Sequence, residues 1–303
     1  HKEYRRQRQM CIRDSTKPVN FWHWLISKVH ETDPDVIFLA EAFTRPPRMY
    51  GLSKAGFSQS YTHFTWKTTK AELTDFAQLL IDVADVSRPN LFVNTPDILH
   101  ESLQKGGPAT FALRATLAAT MSPLWGVYSG YELYEHEPVA DGSEEYLDSE
   151  KYQLRPRDFD AALKRGESLE PYLALLNQIR RDNPALQQLR NIRFHDIAND
   201  NVIAYSKVDA VTGNAVLVVV NLDPYFTQEG TLRLDVTELG LNPGEPFEVH
   251  DMIMGETYTW GTENYVRLAP QVNVAHVFRL PQVPKSRRQA LAYRRISDHD
   301  YRP

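Results

Sequence analysis

The chain has 303 residues, of which 42% are hydrophobic and 24% charged, and its formal net charge is −5. This composition is typical of a globular protein with a buried core, and the mild negative charge excludes a strongly basic binder of nucleic acid or anionic membrane. No apolar run reaches 18 residues and Cys11 is the single cysteine, so we expect no membrane span, no internal disulfide and a cytoplasmic location.

The first 15 residues, HKEYRRQRQMCIRDS, are basic and have neither helical nor strand periodicity. Such a segment is typical of a disordered arm or of a non-native junction. A helical pattern begins directly afterwards, in which Phe21, Trp22, Trp24, Leu25 and Val29 can share one face. We therefore predict that the folded region begins at residue 16.

Strand-like and helical patterns alternate from residue 16 to residue 190. The first strand pattern is a continuous apolar run, which is typical of burial on both faces. The predicted strands are Val36–Ala40, Tyr61–Thr65, Leu91–Asn94 and Trp125–Tyr128. Three helices are predicted: one begins at a Thr69–Glu72 capping box, one includes Phe111–Ala118, and one covers Glu170–Asp182. Such alternation predicts parallel βα units, and about four of them make the C-terminal half of a (β/α)8 TIM barrel.

The pattern changes after residue 190 to short runs rich in β-branched residues and separated by turn signals. The runs are Asn191–Asp196, Val202–Lys207, Ala215–Leu222, Thr231–Val236, Phe247–Asp251, Tyr265–Leu268 and Val274–Leu280. Their spacing predicts an antiparallel β-sandwich over residues 191–281. The remaining residues, 282–303, are rich in charge and proline and are predicted to form a surface tail.

Two carboxylates follow predicted barrel strands. Glu41 comes directly after the first strand, and Asp97 lies three residues beyond the third. Side chains at the C-terminal ends of barrel strands point into one pocket, and a pair of carboxylates there indicates glycosidic-bond chemistry. Apolar neighbours of Glu41 would raise its pKa, as a general acid requires. The alternative is that each acid caps the following helix.

A second polar pair, Lys151 and Tyr152, lies in a loop before the last helix of this region. Its ammonium and phenol groups suit a phosphate or a sugar hydroxyl, although a solvated charged loop has the same composition. The histidines lack metal-ligand spacing, and there is no phosphate-binding glycine motif or cysteine cluster. We therefore predict neither a metal nor a cofactor.

Several strings in this order resemble one known family. TKPVNFWHWLI, DPDVIFLAEAFTRP, NLFVNTPDIL, PLWGVYSGYELYEH and EEYLDSEKYQLRPRD are similar to segments of the α-1,4-glucan:maltose-1-phosphate maltosyltransferases, bacterial members of the α-amylase clan. The resemblance implies transfer of a maltosyl unit from maltose 1-phosphate to an α-1,4-glucan acceptor, on a (β/α)8 barrel and with retention. It also implies a homodimer for the full-length protein, of which this chain would be a C-terminal fragment.

The same resemblance assigns roles to four residues. It makes Glu41 the general acid/base, Asp97 the transition-state stabiliser, and Lys151 with Tyr152 the donor-binding pair. In the family, TKPVNFW follows Asp-Asn-Pro-His, whose first residue is the nucleophile; here that position is Ile12. We therefore expect no turnover by this chain, because double displacement needs a nucleophile.

Two other interpretations stay open at this point. One is a non-catalytic glucan-binding or assembly module, which the missing nucleophile favours. The other is an amylase-type α-glucan hydrolase or isomerase. Most amylase-clan enzymes have a His-Asp pair where this chain has Pro96-Asp97, which argues against the hydrolase or isomerase interpretation.

Overall fold

A computed structural model describes residues 17–43, 46–150 and 154–288. The helices are α1 Val19–His30, α2 Pro46–Lys54, α3 Lys70–Asp82, α4 Glu101–Lys105, α5 Gly107–Met121, α6 Phe159–Arg165 and α7 Glu170–Asp182, with 3-10 turns at His63–Trp66, Tyr131–Leu133 and Pro184–Gln187. The strands are β1 Leu39–Ala40, β2 Gln59–Tyr61, β3 Pro89–Phe92, β4 Leu124–Gly126, β5 Ile192–Phe194, β6 Asp196–Ile197, β7 Val202–Val208, β8 Ala215–Asn221, β9 Gln228–Arg233, β10 Phe247–Asp251, β11 Thr257–Trp260, β12 Glu263–Leu268 and β13 Ala275–Arg279.

The first four strands form a parallel sheet in the order β1-β2-β3-β4. One or two helices separate each strand from the next, since α2 follows β1, α3 follows β2, and α4 with α5 follows β3. The predicted parallel βα units are therefore present, but the predicted strand Tyr61–Thr65 is wrong in its bounds, because the strand is Gln59–Tyr61 and His63–Trp66 is a 3-10 turn. Helix α3 begins as predicted, because Thr69 and Glu72 form both hydrogen bonds of a capping box.

The predicted strand Val36–Ala40 is shorter in the structure, and the prediction that both of its faces are buried is wrong. Only Leu39–Ala40 is a strand, and Val36, Ile37 and Leu39 are 42%, 61% and 39% exposed. The reason is its place in the sheet: β1 pairs with β2 on one side, and among the described residues no strand pairs with its other side.

The aromatic face predicted for α1 is also largely open. Phe21 and Trp24 are exposed, and Ile26 is the buried residue of this helix. Helix α1 packs on α2 and the start of the sheet through a small cluster that includes Ile26 and Phe57. None of the helices in the described ranges combines the length and apolarity needed to cross a bilayer.

Helix α5 lies at the centre of the molecule and is buried on nearly all sides. Its apolar side chains pack in one cluster with residues of β3, α7, β7 and β8. Two threonines of α5 make hydrogen bonds with tyrosines of other elements: Thr116 with Tyr172 and Thr120 with Tyr205, both at 2.6 Å. A helix enclosed in this way needs a mostly apolar surface, and the polar side chains that it buries need hydrogen-bond partners, as Thr116 and Thr120 have.

The remaining strands form two antiparallel sheets, ordered β11-β10-β13-β8-β7-β5 and β12-β9-β6. Strand β8 is buried on both faces, which explains its uninterrupted apolar sequence. Val216, Val218 and Val220 face the cluster around α5, whereas Leu217 and Val219 face the interior between the two sheets. The antiparallel sandwich is thus present. One hydrophobic core contains residues of both the sandwich and the parallel sheet. The domain boundary that we predict near residue 190 therefore stays a prediction.

Candidate functional site

The carboxyl ends of β1 to β4 lie at one edge of the parallel sheet, and both predicted carboxylates are there. Glu41 directly follows β1 and is half-buried, and the adjacent Ala40 and Ala42 are 0% exposed. Asp97, also half-buried, lies in the loop that follows β3. Strand β2 separates β1 from β3, so the two strand ends are about 10 Å apart at the usual interstrand spacing.

A tight turn fixes the backbone at Asp97. The backbone groups of Thr95 and Ile98 exchange two hydrogen bonds of 3.1 Å across it. The backbone N–H of Asp97 donates to Thr95 Oγ1 at 3.3 Å. The N-cap of α4 is His100, whose ring accepts from the N–H of Ser102. Asp97 is therefore not the cap of that helix, which removes the capping alternative for this residue.

A buried amide connects the loop of Asp97 to the next strand. Asn94 is 1% exposed; its Nδ2 donates to the hydroxyl of Tyr146 at 2.7 Å, and its Oδ1 accepts from the N–H of Tyr128 at 2.8 Å. The N–H of Tyr146 donates to the carbonyl of Pro96 at 3.3 Å. This network holds the residues around Asp97 rigidly against the end of β4.

Aromatic rings form a wall beside Glu41. The ring of Phe43 lies 5.4 Å from that of Trp66, 5.6 Å from that of His63 and 6.4 Å from that of Tyr61. Burial, and secondarily the charge of Glu41, raises the pKa of Tyr61. An acid beside an aromatic wall suits the packing of a sugar ring against these side chains.

Sequence reasoning missed a partly buried ionic cluster at the end of β4. Arg157 donates to both oxygens of Glu135, at 2.8 and 3.0 Å, and to Glu150 Oε2 at 2.9 Å. The hydroxyl of Tyr128 donates to the same Glu150 oxygen at 2.8 Å. These charges are dispersed along a loop-rich segment and have no spacing that distinguishes them from a solvated surface, so no sequence signal pointed to them.

Three of the sequence-predicted positions cannot be placed in this geometry. Lys151, Tyr152 and the nucleophile position Ile12 lie outside the described residues. Shortly before this pair, Asp148 and Glu150 have positive φ values of 54° and 60°. Within the described ranges, no group of three or more His, Cys, Asp or Glu side chains is arranged to hold a metal.

Sequence comparison connects the chain to one kind of enzyme. The family described as "GLGE, C-terminal" matches residues 194–280. The α-1,4-glucan:maltose-1-phosphate maltosyltransferase of Corynebacterium glutamicum is 68% identical over 284 residues, which are 94% of this chain and 42% of that protein. That of Mycolicibacterium smegmatis is 62% identical over 279 residues, 92% of this chain and 40% of that protein. The chain thus spans about two fifths of the length of these curated relatives.

Solved structures share the fold at low sequence identity. A crystal structure of AmyP in complex with maltotriose has a TM-score of 0.65 and 14% identity, covering 88% of this chain and 63% of that one. The cyclomaltodextrin glucanotransferase CldA has a TM-score of 0.63 and 16% identity, covering 86% and 54%. At these identities the likeness shows the fold alone.

Proposed function

We propose, from the confirmed resemblance of this chain to the α-1,4-glucan:maltose-1-phosphate maltosyltransferases, that it carries part of the catalytic apparatus of such an enzyme. One observation carries the proposal: in a chain 68% identical to a maltosyltransferase, Glu41 and Asp97 both follow strands of one parallel sheet at the same edge. The parallel sheet would be the C-terminal half of a (β/α)8 barrel. The donor would be maltose 1-phosphate and the acceptor an α-1,4-glucan.

In the proposed reaction Glu41 moves the proton. As the bond between the anomeric carbon and the phosphate oxygen breaks, a carboxylate nucleophile takes the anomeric carbon and Glu41 assists the leaving phosphate as a general acid. The 4-hydroxyl of the glucan then attacks the anomeric carbon, the bond from that carbon to the enzyme carboxylate breaks, and Glu41, now ionised, takes the hydroxyl proton. The proposed acid lies between two buried alanines and two residues before Phe43 of the aromatic wall.

Asp97 has a different role in this proposal. Its carboxylate would accept hydrogen bonds from sugar hydroxyls and favour the positively charged, distorted ring of the transition state. Such a role needs a fixed position, and the turn from Thr95 to Ile98 together with the Asn94 amide supplies one. Lys151 and Tyr152 would bind the donor phosphate, as the family resemblance implies.

The nucleophile is the missing component. Ile12 stands at the family position of the nucleophilic aspartate, and a hydrocarbon side chain cannot form the glycosyl–enzyme intermediate. We therefore propose that this chain alone has no turnover. A homodimer and a cytoplasmic location are proposed for the full-length protein only. No nucleic acid, membrane, metal or cofactor enters the proposed reaction.

A chimaera tests the proposal. Residues 17–303 of this chain would replace the matching segment of the Corynebacterium glutamicum relative, which would keep its own preceding residues. We expect release of phosphate from maltose 1-phosphate in the presence of maltoheptaose, and a loss of about 100-fold or more in kcat on Glu41→Gln. The matched control Glu31→Gln changes an exposed acid paired with Lys28 and should have little effect. Full activity of Glu41→Gln would refute the assignment.

The missing nucleophile also favours a second candidate function, a non-catalytic module that binds glucan. An inactive chimaera, together with retention of this chain on a glycogen-containing gel, would support that function instead. Detectable transfer by the unmodified 303-residue chain would show that the inference from Ile12 is wrong. Release of reducing sugar without consumption of maltose 1-phosphate would favour an amylase-type hydrolase.

A further inference from the structure

We propose that two exposed aromatic residues of the sandwich, Tyr225 and Phe226, form a binding site for an α-1,4-glucan. They lie in the turn between β8 and β9 and are 54% and 69% exposed; we call them the aromatic platform. The choice of ligand rests on the proposed function, in which an α-1,4-glucan is the acceptor. The site itself rests on the residues of this turn and on their neighbours.

The backbone of the platform is held by side chains on both sides of it. Asp223 Oδ1 accepts hydrogen bonds from the N–H of Tyr225 at 2.9 Å and from the N–H of Phe226 at 3.1 Å. The carbonyl of Phe226 accepts from Nδ2 of Asn221 at 3.0 Å, and Asn221 is buried. Large apolar rings are thus exposed on a turn whose backbone is already ordered. A ligand that binds there loses little affinity to the ordering of the protein.

The platform lies where the sandwich contacts the loops of the parallel sheet. The hydroxyl of Tyr225 donates to the carbonyl of Lys105 at 3.1 Å, and Lys105 is the last residue of α4. Helix α4 follows β3 and the turn of Asp97 in the chain. The sandwich therefore presents its exposed rings beside the segment that comes directly after one of the two candidate carboxylates.

A second loop connects α4 with the aromatic wall beside Glu41. Gln104 of α4 donates to the carbonyl of Ser143 at 2.9 Å. The next residue, Glu144, accepts from Nε1 of Trp66 at 3.1 Å, and Trp66 belongs to that wall. Because contacting segments connect the platform to the candidate site, a glucan held on the platform would raise the local concentration of acceptor ends there.

The surroundings of the platform suit a sugar chain better than a protein. Glucose units offer C–H faces that pack on exposed rings and hydroxyls that need polar partners at the rim. The rim contains the exposed ion pair of Lys105 with Glu101 and the amide of Gln271, which donates to the carbonyl of Tyr225 at 3.4 Å. A stable protein interface buries about 800 Å² on each partner around a continuous apolar centre. Two rings beside charged side chains do not provide such a centre.

The test measures binding of glycogen and maltoheptaose to the 303-residue chain by affinity electrophoresis and calorimetry. Phe226→Ala removes the more exposed ring, and we expect the Kd for both probes to rise by about fivefold or more. Phe226→Leu keeps an apolar side chain without a ring and should lose the same affinity, whereas Phe226→Trp keeps a flat ring and should retain it. Equal thermal midpoints of the variants would show that the fold is intact.

Tyr265→Ala is the matched control for exposure. Its ring is 62% exposed and lies on β12, where its hydroxyl donates to Glu229 at 2.6 Å. It is a residue of the flat three-stranded sheet and not of the platform, so the Kd for glycogen should change by less than about twofold. An equal loss of affinity in Tyr265→Ala and Phe226→Ala would overturn the assignment of the platform.

The other outcomes are equally clear. No binding of either probe by the unsubstituted chain, or unchanged affinity in Phe226→Ala, would overturn the proposal. A dimer of this chain that Phe226→Ala dissociates would assign the ring to a protein interface instead. The transfer assay of the chimaera gives a separate answer. An active chimaera whose glucan affinity does not depend on Phe226 would reject the platform alone, and an inactive chimaera whose affinity does depend on it would reject the maltosyltransferase proposal alone.

Discussion

Lys207 offers a quantitative test of how the parallel sheet and the sandwich share one core. It lies on β7, is 0% exposed, and its Nζ donates to the carbonyls of Gln188 at 2.5 Å and Met121 at 3.2 Å. Burial, and secondarily the charge of Arg180, lowers its pKa from 10.5 to about 7. The perturbation we consider is Lys207→Met, which has similar volume and no titratable group.

The expected magnitude follows from linkage. The folded pKa is below the unfolded one, so the unfolded chain binds more protons between pH 7 and pH 10.5. The contribution of Lys207 to the free energy of unfolding is therefore complete above pH 10.5 and is lost as the pH falls to about 7. At about 1.4 kcal/mol per pKa unit, the free energy of unfolding should rise by about 2 kcal/mol between pH 7 and pH 9.

Urea unfolding at pH 7, 8 and 9, followed by tryptophan fluorescence, measures this rise. We expect it in the unsubstituted chain and expect Lys207→Met to abolish it. Lys70→Met is the matched control, because the Nζ of Lys70 also donates across to the sandwich, to the carbonyls of Ile197 and Asn199, but is only partly buried. It should leave the pH dependence in place.

Two results would refute the reasoning about Lys207. A free energy of unfolding that does not change from pH 7 to pH 9 would mean that the amine is not desolvated in the folded protein. An undiminished pH dependence in Lys207→Met would assign the effect to other groups. His195 is not such a group, because burial lowers its pKa to about 4, so its contribution is lost as the pH falls from 6.5 towards 4 and does not vary above pH 7.

Three further substitutions test local features of the fold by urea denaturation. Thr69→Ala removes a capping box and should cost about 1 kcal/mol of stability; an unchanged midpoint would contradict the cap. Tyr205→Phe removes a buried 2.6 Å hydrogen bond to Thr120 and should cost about 1 to 3 kcal/mol; wild-type stability would show that the bond contributes nothing net. Gly130→Ala would place a Cβ 2.1 Å from a Glu135 oxygen at φ +100° and should cost more than about 2 kcal/mol; a stable, soluble variant would argue against the described geometry.

Local sequence pattern predicted much of the secondary structure because hydrophobic periodicity reports on nearby backbone geometry. Helix α7, Glu170–Asp182, and strand β10, Phe247–Asp251, have the bounds that the sequence predicts. Strand β8, Ala215–Asn221, lies within the predicted run Ala215–Leu222, and the structure shows that it is buried along its whole length. The same kind of run at Val36–Ala40 misled, because burial of a strand depends on neighbours that the run itself does not specify.

Part of the candidate site could likewise be predicted from the sequence, and part could not. The positions of Glu41 and Asp97 after strands were readable in the sequence, since parallel strands end at a common edge. By itself the sequence also established the resemblance to the maltosyltransferases and the presence of Ile12 at the nucleophile position. Only the tertiary structure showed that Arg157 is enclosed by Glu135 and Glu150 and that Lys207 is buried without a carboxylate among its hydrogen-bond acceptors. The physical reason is that the burial and pairing of a charge depend on which distant segments pack against it, and no local spacing of residues encodes that.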